Sequence, residues 1–284
     1  MEGPRSRWAV EASGVTVSKE LALWGFKESV MKVESIRIGA AILAVLAGGG
    51  TFEAGAQEND WLQVDIVNIV PNQLDEYVEL QLEEVNPALQ QAGVPWRSVW
   101  RIAEFGNSYE IQLVTPMSGL NQYDTGGHLA RVMEPSNRLD LVDRLRRMTV
   151  SRKRYAMRYR TDISVESDEM SGMSLARVTN VVIAPGRRDE WEQFLLESVA
   201  AFSEADLVFG VYERVFGPGP SSWLIVENYS SFGQLEEPSL LVRAYGSNAV
   251  TIASDLSGVI TSIERTVLRY DAELSYSTIP VNIR

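Results

Sequence analysis

The strongest constraint on the fold is that the chain contains one segment twice. Residues 64–77 read VDIVNIVPNQLDEY, and 114 positions later residues 178–191 read VTNVVIAPGRRDEW. Each copy has an apolar, strand-like run, a proline turn, and an acidic helix start followed by an aromatic residue. Solenoid repeats recur every ~20–50 residues. The longer period therefore indicates that a whole small domain has been duplicated.

The elements that follow each copy also correspond. Apolar periodicity and turn residues predict for the first half the strand Asp60–Val70, a helix from Asn72, the strands Val99–Phe105 and Tyr109–Thr115, the helix Leu139–Met148 and the strand Tyr155–Ile163. For the second half they predict the strand Leu175–Ile183, the helix Arg187–Phe202, the strands Val208–Phe216 and Trp223–Tyr229, the helix Asn248–Ile263 and the strand Thr266–Leu274. Each half reads β-α-β-β-α-β, the ferredoxin-like order.

A sheet of this kind is covered by helices on one face, so its other apolar face must be buried elsewhere. The residues that we assign to this second face are Trp100, Ile102, Val211, Val215 and Trp223. The economical arrangement packs the two sheets against each other as an intrachain α+β barrel. We divide the chain into an N-terminal extension (1–56), a first unit (57–164), a linker (165–174), a second unit (175–276) and a tail (277–284).

This organisation resembles the dimeric α+β barrel superfamily, and within it the NIPSNAP-like and antibiotic-biosynthesis-monooxygenase-like branches. The resemblance rests on the tandem units, on the proline turn before the helix, and on the Arg158-Tyr159 pair that returns as Arg269-Tyr270. It covers roughly residues 60–276. Members that are separate chains dimerise to close the barrel. The resemblance implies that a fused pair closes within one chain, which leaves monomer and homodimer open.

The N-terminal region has the pattern of a secretory signal. Residues 36–47 are an apolar run behind Lys32 and Arg37, and Ala54-Gly55-Ala56 supplies a small-x-small cleavage site. The run is shorter than the ~20 residues that a membrane-spanning helix needs. We expect a natural start at Met31, cleavage after Ala56, and a periplasmic or secreted mature protein without a transmembrane helix. The alternative is an N-terminal tail that ends in a buried apolar helix.

Composition excludes several classes of function. The 284-residue chain has a formal net charge of −12 and no cysteine. The acidic balance argues against nucleic-acid binding, which needs clustered positive charge. The lack of cysteine excludes disulfides, thiolate metal sites and a cysteine nucleophile. No zinc, EF-hand or phosphate-loop pattern is present, so we predict no metal and no cofactor.

His128 is the only histidine and the first candidate catalytic residue. In haem-binding barrels that this chain resembles, a helix histidine ligates iron, and in two-domain members it is expected in the second half. His128 follows Gly126-Gly127 in the first half, so haem is not expected. We keep His128 as a candidate general base, with Arg101 and Tyr109 as further catalytic candidates. A solvent-exposed loop histidine is the alternative.

The ligand-binding candidates are the aromatic residues Trp100, Tyr212 and Trp223. Cofactor-independent oxygenases that the chain resembles place Trp, Tyr, Asn and Arg around a flat aromatic substrate. The same rings can instead fill the core between two sheets. Two functions therefore remain: an exported barrel that binds a small apolar or aromatic ligand or a protein partner, and an oxygenase acting on an aromatic substrate. Haem binding is the third.

Charged residues complete the predictions. Arg101 and Glu104 in one half are expected to pair with Glu213 and Arg214 in the other across the barrel rim. Between Arg144 and Arg160 the chain has eight basic residues and no acidic one. This stretch is either a solvated face or a surface that docks an anionic partner.

Overall fold

The computed structural model describes residues 60–166 and 174–278. Its strands are β1 Trp61–Ile69, β2 Trp96–Ile102, β3 Glu110–Pro116, β4 Thr149–Tyr159, β5 Leu175–Ile183, β6 Gly210–Phe216, β7 Ser222–Tyr229, β8 Ile260–Tyr270 and β9 Tyr276–Ser277. Its helices are α1 Leu74–Leu80, continued by a π-helical turn at Gln81–Val85 and by α2 Asn86–Gln91, then α3 Pro135–Arg147, α4 Arg188–Glu204, α5 Leu240–Tyr245 and α6 Ala249–Asp255. The predicted signal segment, its start at Met31 and its cleavage site lie outside the described residues.

Strands β1–β8 close into one antiparallel barrel. Their order around the barrel is β1-β3-β2-β8-β5-β7-β6-β4, and β4 pairs with β1 again. The first half contributes β1–β4 and the second half β5–β8. They meet at two seams, β2–β8 and β4–β6. The prediction of an α+β barrel closed within one chain is confirmed. The edge-to-edge pairing at the seams was not predicted.

Alternation along the strands separates an inner core from two outer cores. Val99 packs outward in the core beneath α1 and α2, whereas its neighbour Trp100 packs inside the barrel with Leu268. Val211 and Trp223 lie in the outer core beneath α4, so their predicted inward orientation is wrong. The reason is that β6 and β7 carry apolar residues on both faces, and alternation then gives no direction.

Several predicted boundaries are also wrong. Strands β4 and β8 each begin six residues earlier than predicted, at Thr149 and Ile260 instead of Tyr155 and Thr266. The predicted helix Asn248–Ile263 consequently ends at Asp255. The first residues of both strands are largely exposed. They therefore lack the half-buried alternation that identifies a strand in a sequence.

Each seam carries an aromatic pair at corresponding positions of the two halves. Trp100 is opposite Tyr270 across β2–β8, with ring centroids 5.2 Å apart. Tyr212 is opposite Tyr159 across β6–β4, with centroids 5.1 Å apart. Such ring pairs contribute about 0.5–1.5 kcal/mol beyond the area that they bury. The duplicated sequence therefore places equivalent contacts at both closures.

The charges beside these pairs are reversed between the seams. At β2–β8, Arg101 Nε lies 2.5 Å from Asp271 Oδ2. At the other seam the residue that corresponds to Arg101 is Glu213, which lies 3.8 Å from Arg160 and 2.6 Å from Arg188. Pairing two first halves would set Arg101 against Arg160, and pairing two second halves would set Glu213 against Asp271. The charge pattern therefore favours joining a first half to a second half.

The predicted ion pairs across the barrel rim are wrong, because each charged residue has a different partner. Glu104 lies 3.6 Å from Arg269, not near Arg214. Arg214 instead places its Cζ 4.4 Å from the centroid of the Tyr155 ring. The sequence indicated correctly that charges meet between the halves, but register decides which charges meet.

The seam ion pair can be tested by a double-mutant cycle. We expect Arg101→Gln and Asp271→Asn each to lower the free energy of unfolding by about 1–2 kcal/mol, because each leaves a partly buried partner unpaired. The double variant should lose about 1 kcal/mol less than the sum. The amide that replaces the carboxylate in Asp271→Asn keeps an oxygen that can accept the Leu274 N–H, which Asp271 Oδ1 accepts at 3.0 Å. Urea unfolding measures all four proteins, and strict additivity would contradict the pairing.

A second prediction concerns the β6–β7 hairpin. Gly217 has φ +134°, and a Cβ there would collide with the Tyr155 ring and lie 2.9 Å from the Arg154 carbonyl oxygen. We expect Gly217→Ala to lower the free energy of unfolding by about 2–4 kcal/mol. Gly258→Ala is the control, since no atom outside its local backbone and chain neighbours lies within 4 Å of its Cβ position. Equal effects of the two substitutions on the denaturation midpoint would refute the explanation.

Candidate functional site

The barrel interior is not completely filled. A cavity of about 90 Å³ lies inside it, with walls from all eight barrel strands. Its apolar lining includes Leu62, Val64, Met157, Val178, Val226 and Leu268. An apolar cavity of ~150 Å³ binds benzene. The present cavity therefore admits a smaller molecule, or the apolar end of a longer one.

Aromatic residues form part of the wall. Trp96 and Trp100 line the cavity from β2, and Tyr212 lines it from β6. The structure thus brings together two of the three aromatic ligand candidates. The third, Trp223, lies on the opposite face of the sheet in the α4 core, 1% exposed. It is not part of the wall.

Three uncharged polar residues also line the cavity: Ser98 on β2, Gln112 on β3 and Asn228 on β7. Gln112 Nε2 donates a hydrogen bond to Glu110 Oε1 at 3.2 Å. Asn228 Oδ1 is buried without a hydrogen-bond partner. Sequence reasoning missed these residues. The available signal was a polar residue at an inward position of an otherwise apolar strand face, such as Asn228 two residues after Val226.

A tyrosine pair flanks the cavity at the β4–β6 seam. Tyr212 reaches the cavity, and Tyr159 beside it donates a hydrogen bond from its hydroxyl to Glu166 Oε1 at 2.5 Å. Burial raises the pKa of both tyrosines well above the usual value of 10. Both hydroxyls therefore remain protonated at neutral pH and can act as hydrogen-bond donors.

The three catalytic candidates do not meet. His128 is half-buried in the loop between β3 and α3, Tyr109 is 37% exposed at the β2–β3 hairpin, and Arg101 is held by Asp271. None of the three lines the barrel cavity. Taken together, they form no catalytic constellation with the cavity residues.

The ring of His128 is held by a cation. Its Nδ1 lies 2.5 Å from Arg131 Nη2. An arginine can only donate hydrogen bonds, so Nδ1 must be the acceptor and the ring is neutral with its proton on Nε2. Burial lowers the pKa of His128, and the charge of Arg131 lowers it further.

The basic stretch from Arg144 to Arg160 meets carboxylates from other segments. Arg144 forms two hydrogen bonds to Glu84, and Arg152 and Arg154 both bind Asp65 with Nε–Oδ1 distances of 2.9 Å. Burial raises the pKa of Asp65, but the two arginines outweigh burial and hold that pKa below its usual range. Much of the predicted basic surface is thus neutralised locally. An anionic partner at this stretch stays a prediction.

Two absences concern only the described residues. Within 60–166 and 174–278, no three histidine, aspartate or glutamate side chains are grouped closely enough to hold a metal ion. No helix in these ranges has the length and apolar character needed to cross a bilayer.

Comparison with solved structures shows the fold. An anthrone oxidase-like protein is 9% identical and superposes with a TM-score of 0.51 over 78% of this chain and 94% of its own. A monooxygenase-like protein from Lactobacillus acidophilus is 12% identical over 77% of this chain and 96% of its own, with a TM-score of 0.48. A chlorite dismutase mutant from Candidatus Nitrospira defluvii is 8% identical over 77% and 94%, with a TM-score of 0.47. No protein-family profile and no curated protein matches the chain.

The anthrone oxidase-like protein has the same overall fold as this chain. The similarity at a TM-score of 0.51 shows the fold alone, because the identity is only 9%. It carries no information about the chemistry of the cavity.

The environment of His128 predicts its titration. We expect the Cε1 proton of this single histidine, followed by NMR, to titrate with a midpoint below 6.5. A histidine whose pKa is depressed by folding stabilises the fold above its unfolded pKa, and this contribution is lost as the pH falls through the folded pKa. Arg131→Gln should raise the midpoint only in part, because burial is the larger cause. A wild-type midpoint at or above 6.5 would contradict the geometry.

Proposed function

We propose that this protein binds a small, largely apolar molecule with a hydrogen-bonding group inside its barrel. The observation that carries the proposal is the apolar interior cavity, lined by two tryptophans and a tyrosine and by the polar residues Ser98, Gln112 and Asn228. Ligand sites in proteins combine mostly apolar walls with a few polar groups that fix orientation. The same combination supports a ligand site here.

The polar groups in the cavity wall favour a bound ligand over an empty cavity. Asn228 Oδ1 has no partner among the described residues, and a buried polar atom left without a hydrogen bond costs about 1–3 kcal/mol. A ligand that donates a hydrogen bond to this amide would recover part of that cost. Burial of the ligand's apolar part would contribute roughly 25 cal/mol of favourable free energy for each Å² removed from water.

Cofactor-independent oxygenation of an aromatic compound is the second candidate. It is favoured by Trp100, Tyr212 and Asn228 meeting in one cavity wall. However, no charged side chain lines the cavity within the described residues, so the wall contains no group poised to take a proton from a substrate. Binding is therefore the better-supported function.

Two broader statements belong to the same proposal. The strand order is β4-β1-β3-β2 in the first half and β8-β5-β7-β6 in the second, which supports a duplicated ferredoxin-like unit of the NIPSNAP-like or antibiotic-biosynthesis-monooxygenase-like kind. The signal-like N-terminal region supports export to the periplasm or beyond the cell. N-terminal sequencing of the exported chain tests the proposed start at Met31, and a mature protein that begins before Met31 would refute that start.

The cavity proposal predicts that filling the space abolishes binding. Ala176 on β5 lines the cavity, is 1% exposed and packs with Trp100 and Leu268. We expect Ala176→Leu to weaken binding of 1-hexanol at least tenfold, because the added carbon atoms occupy the cavity. Overpacking should cost no more than about 1–3 kcal/mol of stability.

Titration calorimetry and ligand-observed NMR measure the affinity. The control is Val150→Leu on β4, which is 67% exposed and should bind 1-hexanol like the wild type. Circular dichroism verifies that each variant is folded. Unchanged binding by folded Ala176→Leu would place the ligand elsewhere and defeat the proposal.

A further inference from the structure

The inner wall of the barrel continues beyond the cavity to an arginine. Side chains of a strand alternate between its faces, so Arg214 on β6 points to the same side as Tyr212, which lines the cavity. Arg214 is also opposite Met157, another cavity residue, in the β4–β6 register. Two residues of a strand span about 7 Å. The backbone position of Arg214 therefore lies one layer of side chains beyond the cavity.

Among the described residues, Arg214 forms no ion pair. Its guanidinium lies over the Tyr155 ring at 4.4 Å, and its Nε is buried without a hydrogen-bond acceptor. None of the ion pairs that the described residues form includes Arg214. Glu264 acts on it electrostatically only from beyond ion-pair distance. A partly buried cation without a bound anion is unfavourable, and arginine does not relieve this by losing its proton.

The β6–β7 hairpin is shaped to cover this group. Gly219 has φ +101°, and a Cβ there would lie 3.2 Å from Arg214 Nη1. A side chain at this position would press on the guanidinium, whereas glycine leaves it room. On the inner face of β5, Asn180 Oδ1 is also buried without a partner among the described residues. Asn180 is level with Tyr212, since both residues are paired with Leu224. The inner wall thus contains a further unsatisfied polar atom besides Arg214 Nε.

The two halves differ at this point. The position of the first half that corresponds to Arg214 is Ile102, since each lies two residues after the seam aromatic, Tyr212 or Trp100. Ile102 packs in the apolar interior. A barrel with equivalent halves would accept a ligand in either orientation. With Ile102 in the first half and Arg214 in the second, the two ends of the site differ, and a ligand with one polar end is held in one orientation.

We propose that the ligand of this barrel is an amphipathic carboxylate, whose apolar part occupies the cavity and whose carboxylate binds Arg214. The inference rests on the proposed function and specifies its ligand class. The fork of N–H groups on arginine matches the two oxygens of a carboxylate. A hydrogen bond to a charged group is worth about one to two orders of magnitude in affinity.

The experiment compares two probes of equal chain length, hexanoate and 1-hexanol, on the full chain at low salt. We expect wild type to bind hexanoate at least tenfold more tightly than 1-hexanol. In Arg214→Gln this preference should disappear while the affinity for 1-hexanol stays within about twofold. Arg214→Lys, which keeps the charge but loses the fork, should retain a reduced preference.

The matched control is Arg158→Gln. Arg158 also stacks on an aromatic ring, that of Trp61 at 4.9 Å, but it is exposed. This variant should keep the full preference for hexanoate. Two results would overturn the carboxylate proposal: a wild type that does not prefer hexanoate, or an Arg214→Gln protein that still prefers it. The proposed function would survive either result if 1-hexanol still binds and Ala176→Leu weakens that binding.

If neither probe binds the wild type, both the carboxylate inference and the proposed function fail. If Arg214→Gln does not fold, Arg214→Lys decides. A preference for hexanoate in folded Arg214→Lys equal to that of the wild type would mean that the guanidinium fork does not hold the carboxylate, and would overturn the assignment.

Discussion

The rest of the structure depends on the backbone pairing at the two seams, β2–β8 and β4–β6. Without it, each half is an open sheet with two unpaired edges and an uncovered apolar face. Pairing satisfies the edges and at the same time places both apolar faces inside. The aromatic pairs Trp100–Tyr270 and Tyr159–Tyr212 lie on this inner side, and the ion pair Arg101–Asp271 lies on the outer side of the β2–β8 seam. The closed barrel, its inner core and its cavity therefore all follow from the backbone hydrogen bonds at the two seams.

In each half, a buried carboxylate on the outer face of the sheet is neutralised by two arginines of the same half. In the first half Asp65 binds Arg152 and Arg154. In the second half Glu227, which is 4% exposed, binds Arg177 at 2.8 Å and Arg243 at 2.7 Å. Removing one partner of such a cluster would leave an uncompensated buried charge. These clusters explain why basic side chains that cluster in the sequence do not form a basic surface of the same extent.

The candidate site follows from the asymmetry that duplication permits. Two equivalent halves produce a pseudo-symmetric interior, in which Trp100 and Tyr212 occupy corresponding wall positions. Residues that differ between the halves then make part of this interior polar. Asn228 introduces an unsatisfied amide on β7, and Arg214 introduces a cation where the first half has Ile102. Backbone pairing does not depend on which side chain occupies an inward position, so inward positions can differ between the halves.

The sequence by itself predicted a repeated unit, the order of strands and helices, and closure within one chain, because a repeated apolar pattern requires a repeated partner. It also named Trp100 and Tyr212 among its ligand-binding candidates, and both line the cavity. Tertiary structure alone decided that Trp223 faces the helices, that β4 and β8 begin early, and that Arg101 meets Asp271 instead of Glu213. The physical reason is that strand register and packing arise between segments distant in the chain. A strand that is apolar on both faces, such as β7, contains no local signal for the face that will line a cavity.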